Sequence, residues 1–329
     1  MTRPLTAALV GVLLTAGCGA SPTGTADRSP TGDATAAVGD GLTVVATVFP
    51  LAWIATQVAP GAEIALLGSS GQDPHALEMG PADRELVETA DLLLYMGDLD
   101  FQPQVEEVVR SAPGVTVAVA DIAGDAHLLD ADHGPDDDHG PDDGHGPDDD
   151  HGHGDAAVDP HLWFDGRVMA DVVEHVGQTL AGVDPDGTAD YAANATRVAE
   201  ELRDLEAEID TLLQGCRHDT AVVSHAAYAY LLEPRGLHQE GISGTGGHAD
   251  ASPQRLAELT AHVREEGIEA VATDPVEGRA DAEALADEAN VELVEIQTLE
   301  VVNDDQAGAG YPALLREQAA AFADVLGCG

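Results

Sequence analysis

The chain contains no lysine, and its 329 residues set only 13 basic side chains, all arginine, against 61 acidic ones. A net charge of −48 argues against nucleic acid and anionic membrane surfaces as partners, since both repel such a surface, and it favours cations. Residues 130–155 hold 11 of the acids, so removing them takes the charge only to −37 and the rest of the surface is acidic too. Aromatic residues are scarce at 3%, so the cores must be built mainly from Ala, Val and Leu. At 44% hydrophobic, the chain has enough apolar material for two ordinary domains.

Long apolar runs are also missing. The stretch from Leu5 to Ala16, behind Arg3, is apolar but too short to span a bilayer, and it reads as an export signal over residues 1–17. It ends in Thr15-Ala16-Gly17-Cys18, similar to a bacterial lipobox, which makes Cys18 the expected lipid attachment point. Residues 18–41, rich in Ser, Thr, Pro, Gly and Asp, form a flexible tether. The two cysteines left over, Cys216 and Cys328, are an even pair in an oxidising compartment and are expected to form a disulfide.

From Leu42 onward, short apolar runs alternate with helical stretches. Strands are expected at 42–49, 63–67, 91–96 and 115–120, with helices at 50–59, 81–90 and 101–112. Continuous Val, Leu and Ala runs indicate strands buried on both faces, hence parallel sheets covered by helices. After a helix at 166–180, Asp184 and Pro185 open the clearest helix, with apolar Tyr191, Ala195, Val198, Leu202, Leu205, Ile209 and Leu212 on one stripe. Running to about 214, it would be roughly 45 Å long. Strands at 220–224, 268–273 and 291–296 follow, with helices at 226–232, 252–266, 281–289 and 311–326. The expected architecture is α/β: two Rossmann-like lobes with parallel sheets, residues 42–183 and 215–329, joined by one long rigid helix at 184–214.

Residues 127–154 differ in kind. A six-residue unit recurs: His133-Gly-Pro-Asp-Asp-Asp, His139-Gly-Pro-Asp-Asp-Gly, His145-Gly-Pro-Asp-Asp-Asp, then His151-Gly-His153. Gly and Pro in each unit, with almost no apolar side chains, preclude a packed core, so a disordered loop is expected. Its histidines, His127, His133, His139, His145, His151 and His153, are suited to weak zinc capture and hand-over.

Two copies of one tripeptide, Asp73-Pro74-His75 and Asp159-Pro160-His161, stand out, and His225 follows directly on an expected strand. In open parallel sheets ligands bind beyond the carboxyl ends of strands, where His75, His161 and His225 would converge. The prolines restrain the backbone beside each imidazole. Asp73 and Asp159 are placed to accept a hydrogen bond from the non-ligating ring nitrogen, which fixes the tautomer. Three imidazoles suit Zn2+, whereas Mn2+ prefers more carboxylate oxygen. His248, in a Gly-rich loop, reads as a surface residue.

These motifs resemble the zinc branch of the cluster A-I solute-binding proteins of ABC transporters, the ZnuA-like members of the TroA superfamily. The resemblance rests on Val44-Val-Ala-Thr-Val-Phe-Pro-Leu51, Asp73-Pro-His75, Ala90-Asp-Leu-Leu-Leu-Tyr-Met-Gly97, Asp159-Pro-His-Leu-Trp-Phe-Asp165, Val223-Ser-His-Ala-Ala-Tyr-Ala-Tyr-Leu231 and Ser252-Pro-Gln-Arg-Leu256. It implies two lobes with the metal between them, and zinc where the third ligand is His. It further implies high-affinity capture outside the cytoplasm, on the lipid-anchored face of a bacterial membrane or in a periplasm, by a monomer that delivers zinc to an ABC permease. The family commonly places an acidic fourth ligand where alignment puts Gln297; Glu300, Asp304, water or a loop histidine are the alternatives. Readings from other classes are a three-histidine zinc hydrolase, for which no His-Glu-x-x-His or evident general base is present, and a stand-alone metal chaperone or adhesin.

Overall fold

The computed structural model describes residues 41–68, 74–75, 77–131, 158–245 and 251–329. The export signal, Cys18 and the tether lie outside the described residues, as do Asp73, His133, His139, His145, His151, His153 and His248.

Short runs of Val, Leu and Ala make the first sheet: β1 (Thr43–Ala46), β2 (Glu63–Leu66), β3 (Leu92–Tyr95) and β4 (Val115–Ala118). All pairings are parallel, in the order β2-β1-β3-β4. The helices between and after them are α1 (Phe49–Val58), α2 (Pro81–Thr89), α3 (Pro103–Val109) and α4 (Val119–Ala123). Proline opens α1, α2 and α3, where its missing N–H costs nothing.

Two helices follow, α5 (Gly166–Val183), capped by the Asp165 carboxylate, and α6 (Thr188–Leu212). They pack side by side, and Gly177 permits the close approach: a Cβ there would stand 2.6 Å from that of Ala195. The expected long helix is shorter than its sequence signal. Asp184 caps a 3-10 turn, Pro185–Gly187, and α6 proper runs 25 residues, about 38 Å.

The second sheet repeats the plan with β5 (Thr220–His225), β6 (His238–Ser243), β7 (Ala270–Thr273) and β8 (Glu292–Glu295), again parallel, in the order β6-β5-β7-β8. Its helices are α7 (Ala229–Leu232), α8 (Pro253–Glu266), α9 (Arg279–Ala289), α10 (Asp304–Ala309) and α11 (Tyr311–Leu326). Strand β6 is absent from the sequence reading because His238-Gln-Glu-Gly has no apolar run; it is an edge strand buried only in its second half. The expected strand at 115–120 turns helical at Val119, and the brief α10 has no apolar face to betray it.

Both lobes belong to one compact unit and share one continuous apolar core. Leu51 and Ile54 of α1, Val198 and Leu202 of α6, Val223 of β5, and Leu315 and Phe322 of α11 all belong to it. Helix α6 packs against α1 on one side and α11 on the other, so a wide hinge between the lobes would tear this core. Among the described residues, no helix is long and apolar enough to cross a membrane.

Cys216, just past α6, is disulfide-bonded to Cys328, just past α11, across 112 residues of sequence. Closing so long a loop restricts the unfolded chain strongly. The Cys216→Ser/Cys328→Ser variant should lose about 4 kcal/mol in equilibrium urea unfolding, with the wild type falling to the same level in reductant.

Candidate metal centre

The site is assembled where each sheet reverses its strand order. Strand β5 has β6 on one side and β7 on the other, and His225 is its last residue. That carboxyl end is the position at which parallel sheets place ligands. In the first sheet β1 occupies the same place, and its end is tied to the His75 segment: the Gln102 side chain donates to the carbonyls of Thr47 (3.4 Å) and Pro74 (3.3 Å). Glu106 in turn accepts the backbone N–H of Phe101 and Gln102, at 3.0 and 3.3 Å, and burial pushes its carboxyl up. The Phe101 ring meets His75 edge-on, with centroids 4.7 Å apart.

His161 sits just before a 3-10 turn, Leu162–Phe164, that leads into α5. Asp159 Oδ1 accepts from both the backbone N–H (2.9 Å) and the ring Nδ1 (2.6 Å) of His161, the contact expected of this aspartate. Asp159 is itself clamped. Its N–H donates to the Leu129 carbonyl, and the Tyr230 hydroxyl donates to its carbonyl (3.0 Å) while accepting from Leu129 N–H (3.0 Å). An antiparallel bridge between Asp130 and Val158 adjoins this clamp. Trp163 Nε1 donates to the Thr298 carbonyl (2.7 Å), joining the His161 turn to the second lobe.

Glu300 arrives from that second lobe. Leu299, buried and left-handed at φ 64°, turns the chain so that the Glu300 carboxylate points inward. The Glu300 carbonyl accepts from Phe49 N–H at the start of α1 (2.7 Å), a second hydrogen bond between the lobes. Its Oε2 accepts from the Thr298 hydroxyl at 3.0 Å. Its Oε1 lies 3.4 Å from His75 Nε2 and 3.3 Å from His161 Nε2, and the Nε2 atoms of His161 and His225 are 3.1 Å apart. One ligand atom from each of His75, His161, His225 and Glu300 falls within 4.8 Å of every other. His161 and His225 are fully buried, Glu300 is 1% exposed and the His75 side chain 6%.

The structure brings the three motif histidines together and sets Glu300 beside them. Gln297 stands apart from this group: its Oε1 accepts from Gln306 (2.5 Å) and its N–H donates to Gln318 (2.8 Å). The reason is the left-handed turn at Leu299, which directs Glu300 inward three residues further on. Asp304 is exposed at the start of α10, and His127 is exposed near the Asp130–Val158 bridge.

One neighbour escaped the sequence reading. Glu277 Oε2 stands 2.9 Å from His225 Nδ1. Its loop hangs on Asp274, whose Oδ1 accepts the N–H of Val276 and Glu277 (2.7 and 3.0 Å) and whose Oδ2 accepts that of Thr298 (3.0 Å). The one local cue was a further Asp-Pro step, Asp274-Pro275, directly after a strand, but no histidine follows it.

Burial pulls the His161 imidazole down, yet Asp159 and Glu300 outweigh it and lift its pKa to about 9. His225 is lowered, chiefly by burial, against the pull of Glu277. Burial alone would raise Glu300, but the facing imidazoles of His161 and His75 hold it far below the usual carboxylate range.

Two parallel sheets whose carboxyl ends close over three imidazoles and a carboxylate define a two-lobed ligand-binding protein with a buried cation-type site. Residues 44–325 match the family model described as "Zinc-uptake complex component A periplasmic" (ZnuA), and the chain belongs to that family. It is 28% identical over 258 residues to the zinc-binding protein AdcA of Streptococcus pyogenes serotype M6, a match covering 78% of this chain and 50% of AdcA. The chain therefore spans about half the length of the AdcA relatives it matches. It is 24% identical over 306 residues to the manganese-binding lipoprotein MntA of Halalkalibacterium halodurans, covering 92% of this chain and 90% of MntA. Among solved structures, the Zn(II)-bound ZnuA-like domain of Streptococcus pneumoniae AdcA superposes with a TM-score of 0.69 at 25% identity, covering 87% and 99% of the two chains. The zinc-binding protein TroA of Treponema pallidum shares the fold at a TM-score of 0.74 and 21% identity, covering 87% and 99%.

Because the folded pKa of His161, about 9, exceeds the usual value of 6.5, its stabilisation is complete below about pH 6.5 and fades as pH rises through 9. The metal-free protein should lose about 1–3 kcal/mol between pH 7 and 9.5, and His161→Gln should flatten that slope in urea unfolding with chelator.

Proposed function

We propose that this protein captures one zinc ion between its lobes, held by His75, His161, His225 and Glu300, and delivers it to an ABC-type uptake permease outside the cytoplasm. The observation that carries this reading is geometric. A tetrahedral zinc with arms of 2.0–2.1 Å has ligand atoms about 3.3 Å apart, and three separations in the group are 3.1, 3.3 and 3.4 Å. Three nitrogens and one oxygen are a zinc-type donor set. Four protein donors also leave no open position for an activated water, which weighs against a hydrolase.

The family description, a component of a zinc-uptake complex, and the zinc-binding AdcA relatives support the same cargo and a permease partner. The manganese-binding MntA relative makes the choice of metal a matter for titration. The shared core and the α6 strut favour small closure movements on binding. The export signal and Cys18 would hold the protein at the outer face of the membrane, and the hexapeptide repeats, together with His127, would gather zinc near the cleft.

Chelator-stripped protein lacking residues 133–153 should take up about one zinc per chain in a competition titration with a chromophoric chelator; failure to do so would overturn the cleft assignment. Ala substitution of any of the four proposed ligands should weaken zinc by at least about 100-fold, Gln297→Ala by less than about twofold, and Mn2+ should compete only in large excess.

A further inference from the structure

The four proposed ligands do not account for every buried carboxylate at this centre. Glu277 is 6% exposed, and its Oε2 faces His225 Nδ1 at 2.9 Å while His225 Nε2 points into the ligand group. Among the described residues neither Oε2 nor Nδ1 completes a hydrogen bond of ordinary geometry, and their 2.9 Å approach makes each the other's polar neighbour. A buried carboxylate without a donor is costly, and an imidazole ring has one N–H to give while its other nitrogen binds metal.

We propose that Glu277 is the positioning residue for His225: it accepts the Nδ1–H, fixes the tautomer whose free lone pair lies on Nε2, and strengthens that nitrogen as a metal donor. This rests on the reading of His225 as a ligand. It goes beyond that reading by giving His225 a carboxylate partner from a different segment of the chain. His161 is oriented locally, by an aspartate two residues before it. His225 ends a strand with no acidic neighbour in sequence, and the corresponding carboxylate comes from the loop after β7.

That loop is built to hold Glu277 still. Its N–H donates to Asp274 Oδ1, and its carbonyl accepts from the Ser224 hydroxyl (2.9 Å), one residue before His225. The Ser224 hydroxyl also accepts from Asp274 N–H (2.9 Å), so the strand that ends in His225 and the loop that presents Glu277 are bonded backbone to side chain in both directions. Gly278, left-handed at φ 68°, lets the chain turn tightly past Ser224, where a Cβ would come within 3.1 Å of the serine. All of these anchors are backbone or belong to other residues, so replacing the Glu277 side chain leaves the loop's support in place.

The test compares Glu277→Gln, Glu277→Ala and His225→Ala in the full chain, with zinc as the only added ligand. Glu277→Ala should weaken zinc by about 10–100-fold and Glu277→Gln, which keeps an acceptor but loses the charge, by about tenfold. In 15N-histidine-labelled, zinc-loaded protein, the His225 Nδ1–H resonance should move upfield in both Glu277 variants, while metal-free melting of Glu277→Gln stays at the wild-type temperature. Zinc affinity within twofold of wild type in both variants overturns the proposal. So does an affinity loss in Glu277→Gln that comes with a lowered metal-free melting temperature and an unmoved Nδ1–H resonance. If Glu277→Ala does not fold, Glu277→Gln decides alone. Should His225→Ala bind zinc as tightly as wild type, it is the ligand assignment of His225 that fails, a result distinct from either Glu277 outcome.

Discussion

A carboxylate buried among three imidazoles governs this molecule. Glu300 and its histidine neighbours are almost wholly removed from water, and an ionised carboxylate in such surroundings is untenable without positive charge beside it. In the metal-free protein a protonated His161 supplies that charge, drawn up by Asp159 on one side and Glu300 on the other. A divalent cation held there would supply the same positive charge. Positive charge of either kind offsets the burial of the carboxylate.

The surroundings serve that requirement. Phe101 and Trp163 wall the imidazoles with apolar edges, and the Trp163 indole and the Phe49 backbone each donate a hydrogen bond to the segment that presents Glu300. Both contacts join the lobes at the site, and the common core joins them away from it. Side chains on segments far apart in sequence are thus fixed relative to one another before any ion arrives, which lowers the ordering cost of binding.

Much of this was legible beforehand, and the omissions have physical causes. Buried parallel strands announce themselves by apolar runs, as β1, β3 and β7 did, and proline and serine at helix starts placed α2, α8 and α11 closely. The edge strand β6 gave no such signal because half of it faces solvent. His75, His161 and His225 stood out through repetition and position. Residue pattern left the neighbour of the three histidines open among Gln297, Glu300, Asp304, water and a loop histidine, because a left-handed leucine is invisible to it: alignment points at Gln297, while the turn at Leu299 brings Glu300 to the group. Glu277 faces His225 across 52 residues through a loop ordered by Asp274, and the Asp274-Pro275 step that marks this loop carries no histidine to single it out.

The stem of residues 129–130 and 158–159 has a corollary. The Asp130–Val158 bridge and the Tyr230 clamp fasten both ends of the intervening stretch to the body beside Asp159. The entropy of closing a loop on a fixed base grows only slowly with its length, by about 0.6 kcal/mol per doubling. Every contact that fixes Asp159, and through it the His161 imidazole, is made by residues flanking the His-Gly-Pro-Asp-Asp array, so a change in the number of its units removes none of them.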